Sequence, residues 1–260
     1  MQNSVAIRVE NITRRFNGLV AVDSISFSVG HGEIFGFLGP NGAGKTTTIN
    51  MLCTLLRPTS GIAQVGCCDV SKEPNKVRRE IGIIFQDPSL DDRLTADDNL
   101  RFHGYLYHMK KEMIEERIPE VLDLVELSDR RREIVKKFSG GMKRRLEIAR
   151  GLMHRPKILF LDEPTIGLDP QTRAHIWDYI LKMRKETGLT IFMTTHYMQE
   201  AEVCDRIAII DHGKIVALDT PAKLKEANGE TTLENVFLKL TGRQIRAQSS
   251  DIFAPPWRRR

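Results

Sequence analysis

The stretch Gly39-Pro40-Asn41-Gly42-Ala43-Gly44-Lys45-Thr46-Thr47 restricts the fold of this chain more than any other. It fits G-x-x-x-x-G-K-[ST], a loop whose glycines let backbone N–H groups converge on an anion with no Cβ in the way. In that pattern Lys45 brings a point charge toward the β- and γ-phosphates of a nucleotide, and the Thr46 hydroxyl suits Mg²⁺. The chemistry needs a strand before the loop and a helix after it, because the helix N-terminus adds its own partial positive charge. The run Glu33-Ile34-Phe35-Gly36-Phe37-Leu38 reads as a short buried strand. Thr46 to Leu56, apolar at Ile49, Leu52, Leu55 and Leu56, reads as the helix.

Composition excludes little beyond the membrane. The 260 residues suffice for one large domain or two small ones, and 41% hydrophobic with 28% charged content is ordinary for a globular protein. No apolar run is long enough to span a bilayer, and Met1 to Glu10 has no apolar core of signal-peptide length, so the chain is expected to stay in the cytosol unless a partner holds it at a membrane. The four cysteines, Cys53, Cys67, Cys68 and Cys204, show neither C-x-x-C spacing nor histidines at zinc-like intervals, and read as reduced thiols. A net charge of +5, densest from Arg130 to Arg145, has no aromatics interleaved; a nucleotide or an anionic membrane face accounts for it as well as a nucleic acid does.

Along the chain, Ala6 to Val29 alternates in the manner of antiparallel strands, followed after the phosphate loop by strand-like Gly61 to Val65 and Ile81 to Phe85. From about Leu94 to Gly151 strand signals vanish. There Ile114, Ile118, Val121, Leu122 and Val125 fall on one helix face, the mark of a helical insertion. The α/β pattern resumes with strands at Ile158 to Leu161, Leu189 to Thr194 and Arg206 to Asp211, and with a helix begun by Asp169-Pro170 and ended by Gly188. His212-Gly213-Lys214 reads as a tight turn into Ile215-Val216-Ala217. Thr231-Thr232-Leu233-Glu234 fits a capping box for a helix carrying Leu233, Val236, Phe237 and Leu240 and stopped by Gly242. The polar end beyond Gln244, with Pro255-Pro256 and three arginines, reads as disordered.

The strand Ile158-Leu159-Phe160-Leu161 runs into Asp162-Glu163, which places two carboxylates at the carboxyl edge of a parallel sheet, where ligands bind. Beside a phosphate loop, Asp162 suits Mg²⁺ and Glu163 suits the polarisation of an attacking water. Here the sequence resembles the ATP-binding cassette ATPases, over about residues 5 to 230. Ser139-Gly140-Gly141-Met142, followed by Lys143 to Arg150, resembles the family's diagnostic helix start, a second anion site built from Gly N–H groups, a Ser hydroxyl and a helix N-terminus. Phe138 stands where many members have Leu, a change expected to alter packing rather than chemistry. Gln86 resembles the glutamine that reaches Mg²⁺ and the water. His196 resembles the histidine that senses the γ-phosphate, Asp169 in Gly167-Leu168-Asp169-Pro170 the loop that crosses to the partner, and Phe16 the aromatic that stacks on adenine.

The resemblance implies an α/β fold: a P-loop NTPase core with a mostly parallel sheet, an N-terminal antiparallel β subdomain and an inserted α-helical subdomain. It implies an ATPase domain over 1–230, with the helical subdomain at about 87–153, a C-terminal helix at 231–243 and a disordered tail at 244–260. It implies ATP and Mg²⁺ as ligands and a head-to-tail pair of subunits, expected to be a homodimer, with each ATP between one phosphate loop and the other subunit's Ser-Gly-Gly. It also implies an integral membrane permease partner, docked on the insertion and the segment from Gln86 to Leu94, at the cytoplasmic face of the membrane. The tail Leu233 to Gly242 resembles the drug and polysaccharide (ABC-2 type) exporter branch; packing of that helix on its own domain is the plainer reading. The rival is an ABC ATPase acting on nucleic acid or ribosomes. Against it stand the short interval between phosphate loop and Ser-Gly-Gly, without sustained heptads, and the single cassette; no nucleic acid is expected.

Overall fold

The computed structural model describes residues 5–86 and 89–242. In chain order the strands and helices are β1 (Val5–Phe16), β2 (Leu19–Gly30), β3 (Ile34–Leu38), α1 (Lys45–Leu52), β4 (Ser60–Val65), β5 (Cys68–Asp69), α2 (Pro74–Glu80), β6 (Ile81–Ile84), α3 (Ala96–Leu106), α4 (Lys111–Leu124), α5 (Gly140–Gly151), β7 (Ile158–Asp162), α6 (Pro170–Thr187), β8 (Thr190–Thr195), α7 (Met198–Ala201), β9 (Arg206–Asp211), β10 (Lys214–Asp219), α8 (Pro221–Asn228) and α9 (Leu233–Thr241).

Two sheets form. The alternating N-terminal residues make an antiparallel sheet in the order β2-β1-β4-β5, and the apolar runs make a sheet in the order β10-β9-β3-β8-β7-β6. In the second sheet β3, β6, β7, β8 and β9 run parallel, and β10 turns back beside β9. Every residue of β3, β7 and β8 is buried, which explains why these strands read as unbroken apolar runs rather than alternating ones. Phe27 of the antiparallel sheet joins Phe35, Phe37 and Phe192 of the parallel one, with ring centroids 5.4 to 5.9 Å apart, and Phe160 extends this aromatic seam. The sheets are thereby welded face to face.

The helical insertion holds α3, α4 and α5 around Leu100, Ile114, Ile118, Val121, Val135 and Leu146, all buried. Phe138 lies in the same core at 6% exposure, so its bulk enters packing. Thr95 caps α3 by accepting from the Asp98 amide, and Arg131 grips Asp97 through paired contacts of 3.0 and 2.9 Å.

Local signals located most element ends. Gly188 and Gly242 stop α6 and α9 in the left-handed conformation, at φ 68° and 64°. The cap of α9 shifts by one residue: Thr232, not Thr231, accepts from the Asn235 amide. That helix packs its buried Leu233, Val236 and Phe237 on the core shared with the helical insertion and the parallel sheet. The disordered reading of 244–260 lies outside the described residues.

Candidate functional site

Four segments leave the carboxyl ends of parallel strands and converge on one edge: the phosphate loop after β3, Gln86 after β6, Glu163 after β7 and His196 after β8. The loop begins where side chains have no room. A Cβ on Gly39 would sit 2.4 Å from the Ile210 carbonyl oxygen. The β9–β10 turn, with both His212 and Gly213 at positive φ, braces it further: the Gly213 amide donates to Ala43 O at 3.0 Å, and Gly213 O accepts from the Asp23 amide at 2.8 Å.

Lys45 opens α1 and is 5% exposed, with its ammonium donating to Gly39 O at 2.8 Å and Pro40 O at 3.2 Å. The helical ladder starts with Thr48 N donating to Gly44 O, so the amides of Lys45, Thr46 and Thr47 have no partner within it. Asn41, Gly42 and Thr46 are exposed, Pro40 and Thr47 half-buried, and Ala43 and Gly44 buried. Burial pulls the Lys45 pKa below the ordinary lysine value, against the opposing pull of Glu163 and Asp162. A buried cation beneath a rim of unpaired amides is a cradle for polyphosphate. Phe16, 39% exposed at the end of β1, carries the Arg14 guanidinium 4.4 Å over its ring, so one face of the expected adenine platform is covered.

The carboxylates differ in setting. Asp162 is 3% exposed and accepts from Thr194 Oγ1 at 2.5 Å. Glu163 stands at φ 48°, a left-handed backbone for a residue with a Cβ, and its amide donates to Thr194 O and Oγ1 at 3.2 and 3.1 Å. Its Oε1 lies 3.6 Å from Lys45 Nζ and 3.3 Å from His196 Nδ1; the histidine contact is close but lacks hydrogen-bond alignment. The imidazole above all, then Lys45, holds the Glu163 carboxyl below the ordinary range despite its burial. Gln86 is exposed in the bend after β6.

Among the described residues no group of three His, Cys, Asp or Glu is gathered as a metal cage. Mg²⁺ suits such a place: it takes one or two protein oxygens and completes its octahedron with substrate phosphates and water. The single buried carboxylate of Asp162, with the exposed hydroxyl of Thr46 at the start of α1, fits that habit.

Ser139, Gly140 and Gly141 stand elsewhere, at the start of α5 in the helical insertion. Ser139 Oγ accepts from the Met142 amide at 3.2 Å, and a Cβ on Gly140 would meet nothing within 4 Å. A Cβ on Gly141 would lie 2.6 Å from Thr172 Cγ2. Thr172 in turn bonds Asp169, its amide at 3.0 Å and its hydroxyl at 2.7 Å, so Asp169 does cap α6. The structure therefore gathers Ser139 to Gly141 with Asp169, and Lys45 with Asp162, Glu163 and His196. A cavity of about 600 Å³, lined in part by His31, Arg117, Lys157 and Leu189, opens beside the amino-terminal ends of β7 and β8 and contains none of these residues.

Known proteins resemble this chain in sequence and in fold. The family model described as "ABC transporter" matches residues 22–166, more than half of the chain. The chain belongs to the ABC transporter family. The cassette is 42% identical over 254 residues to the daunorubicin/doxorubicin resistance ATP-binding protein DrrA of Streptomyces peucetius, covering 97% of this chain and 76% of that protein. It is 44% identical over 228 residues to the linearmycin resistance ATP-binding protein LnrL of Bacillus subtilis, covering 87% of this chain and 73% of that one. A dimeric post-hydrolysis structure of the ATP-binding cassette MJ0796 with ADP and Pi superposes with a TM-score of 0.74 at 28% identity, covering 82% of this chain and 98% of that one. As an ABC ATPase subunit the cassette binds and hydrolyses ATP. The resemblance to the drug-exporter branch agrees with these relatives.

Sequence reasoning missed the residues that hold the cassette's reactive groups in place. Thr194 donates to the Asp162 carboxylate and accepts from the Glu163 amide. Glu200, fully buried with its pKa raised by that burial, accepts from Thr195, Thr165 and Trp177. Its signal was only a lone acid following His196.

Proposed function

We propose that this cassette drives export through a separate integral membrane permease, from the cytoplasmic face of the membrane, by pairing with a second copy of itself around two ATP molecules. One observation carries the reading: the site's two anion-binding parts lie on different elements, with Lys45 at the sheet edge and the open Gly140 on α5 beside α6. A polyphosphate on Lys45 gains charge-assisted bonds from its own loop, and the partner's α5 terminus supplies a second set. The drug-resistance names of the relatives support export as the direction, with drugs as the cargo class.

In this mechanism the ionised Glu163 accepts a proton from the attacking water, oriented by His196 and held opposite Lys45. Gln86, from the neighbouring strand end, aligns that water. Thr46, Asp162 and Gln86 would hold Mg²⁺, which when bound neutralises phosphate charge. The permease docks on the insertion, where Phe102 (60% exposed), Leu106 (59%) and Tyr105 (48%) of α3 face solvent. No helix among the described residues is long and apolar enough to cross a membrane, so passage belongs to that partner.

The Glu163→Gln substitution tests the pairing and the chemistry together. Turnover should drop by about 100-fold or more, ATP affinity should persist, and ATP should convert the chain into a stable dimer by light scattering. Turnover near the parent's would remove Glu163 from the base role. An unchanged monomer at saturating ATP would remove the composite site.

A further inference from the structure

We infer that Arg144 is a positioning residue for hydrolysis, one buried guanidinium that fixes the backbone at Glu163 and just ahead of Gln86 from the same point on α5. Arg144 follows the Ser-Gly-Gly start by about one turn, and its side chain is only 8% exposed. Every acceptor it reaches besides Glu147 is a main-chain carbonyl at the reactive edge. Nε donates to Pro164 O at 2.5 Å and Nη1 to Phe85 O at 2.6 Å. Nη2 lies 3.4 Å from Glu163 O and 3.5 Å from Asp162 O.

These carbonyls are where help is needed. Glu163 is held at φ 48°, and a left-handed residue with a Cβ persists only where its surroundings over-determine it. Thr194 holds its amide from one side, and Arg144 holds its carbonyl and the next one from the other. Phe85 O is the last carbonyl before Gln86, so the same fork also sets the exit of β6.

The charge is balanced locally. Glu147, 1% exposed, accepts from Arg144 Nη1 at 3.2 Å, and its other oxygen accepts from the Ser89 amide at 2.6 Å. Arg150 Nη1 donates to Ser89 O at 3.0 Å. Three side chains of α5 thus grip both sides of the Gln86 segment as well as the Glu163 turn. A displacement of α5, whose N-terminus meets the partner's nucleotide, must then be felt at Glu163. Lysine cannot replace this, because one point donor does not span carbonyls that a planar fork reaches together.

The inference rests on Glu163 being the base, and the test separates the two. The purified chain is compared with Arg144→Lys, with the charge-neutral double variant Arg144→Gln/Glu147→Gln, with Glu163→Gln, and with Arg144→Lys built on Glu163→Gln. Turnover against ATP concentration and the thermal midpoint are measured for each. The expected result is a kcat lower by about 10- to 100-fold in both Arg144 variants, with KM for ATP and the midpoint near the parent's. On the Glu163→Gln background Arg144→Lys should lower turnover no further, since both changes act through one group. The double variant keeps the pair's net charge at zero and removes a carboxylate only from Arg150, 13% exposed and also bonded to Ser89, so it decides the matter if Arg144→Lys fails to fold. Parent-like kcat in either folded variant overturns the inference while Glu163→Gln remains slow. A kcat loss that merely tracks loss of folded protein, or additive losses on the Glu163→Gln background, overturns it too. Parent-like turnover in Glu163→Gln itself overturns the reading of Glu163 and takes the inference with it.

Discussion

The sheet edge and the start of α5 both collect backbone amides for an anion, yet they are built in opposite ways. At the edge everything is compressed: Lys45 and Asp162 are nearly fully buried, and Lys45 and His196 both approach one Glu163 oxygen, at 3.6 and 3.3 Å. At α5 the amides face open space around Gly140, and the only tight approach is sideways, from Gly141 to Thr172. The difference teaches what each part does alone. The edge sets opposed charges beside its amides, whereas the cations that follow the open amides of α5, Lys143, Arg144 and Arg145, are each already paired with a carboxylate.

The largest effect that would break this contrast is at Lys45. Lys45→Ala removes the buried cation and leaves Glu163 facing its histidine alone, and ATP affinity should fall by about 100-fold in a fluorescence titration. Affinity within a few-fold of the parent's would mean that the loop amides suffice and that the edge is no different in kind from α5. Next in size is a paired test on α5. Gly141→Ala forces a Cβ to 2.6 Å from Thr172 Cγ2, and should cost about 1–3 kcal/mol of stability. Gly140→Ala meets open space, so its unfolding midpoint should stay put while ATP-dependent pairing weakens. Equal loss of stability in both variants would show that α5 is a packing element and not an open surface.

The smallest effect is a pH shift at the edge. The Glu163 carboxyl lies below its ordinary value of 4.5 in the folded chain, chiefly because of His196. A group lowered on folding stabilises the fold above its unfolded pKa and loses that contribution as pH falls through the folded one. His196→Ala should therefore move this acid-side loss to higher pH, toward the ordinary carboxylate range, in thermal midpoints taken between about pH 3 and 6. An unmoved acid limb would mean that Lys45 alone sets the carboxyl.

Much of this was legible because it is local. A phosphate loop, an acidic pair ending an apolar strand and a Gly-rich helix start are each contiguous, and their order supplied the rest. The helices too short for periodicity went unread: α2 at 7 residues and α7 at 4 offer barely a turn or two of pattern. The cap of α9 slipped by one because both threonines are good cap residues and only Thr231 has a Glu three residues on, whereas the hydroxyl that accepts from the helix, at the Asn235 amide, is that of Thr232. What stayed hidden was side-chain reach across the sequence. Arg144 touches residues at 85 and 164, and Glu200 touches residues at 165 and 177; no spacing rule connects such positions.

The turn at His212-Gly213 has one further consequence. Through Gly213 it ties the phosphate loop to β2, and the aromatic seam ties β2 to the sheet beneath, so loop, hairpin and parallel strands form a single stiff plate. Such a plate cannot wrap a nucleotide. It is then the fixed jaw of the site, and any surface that closes on the nucleotide has to be brought to it.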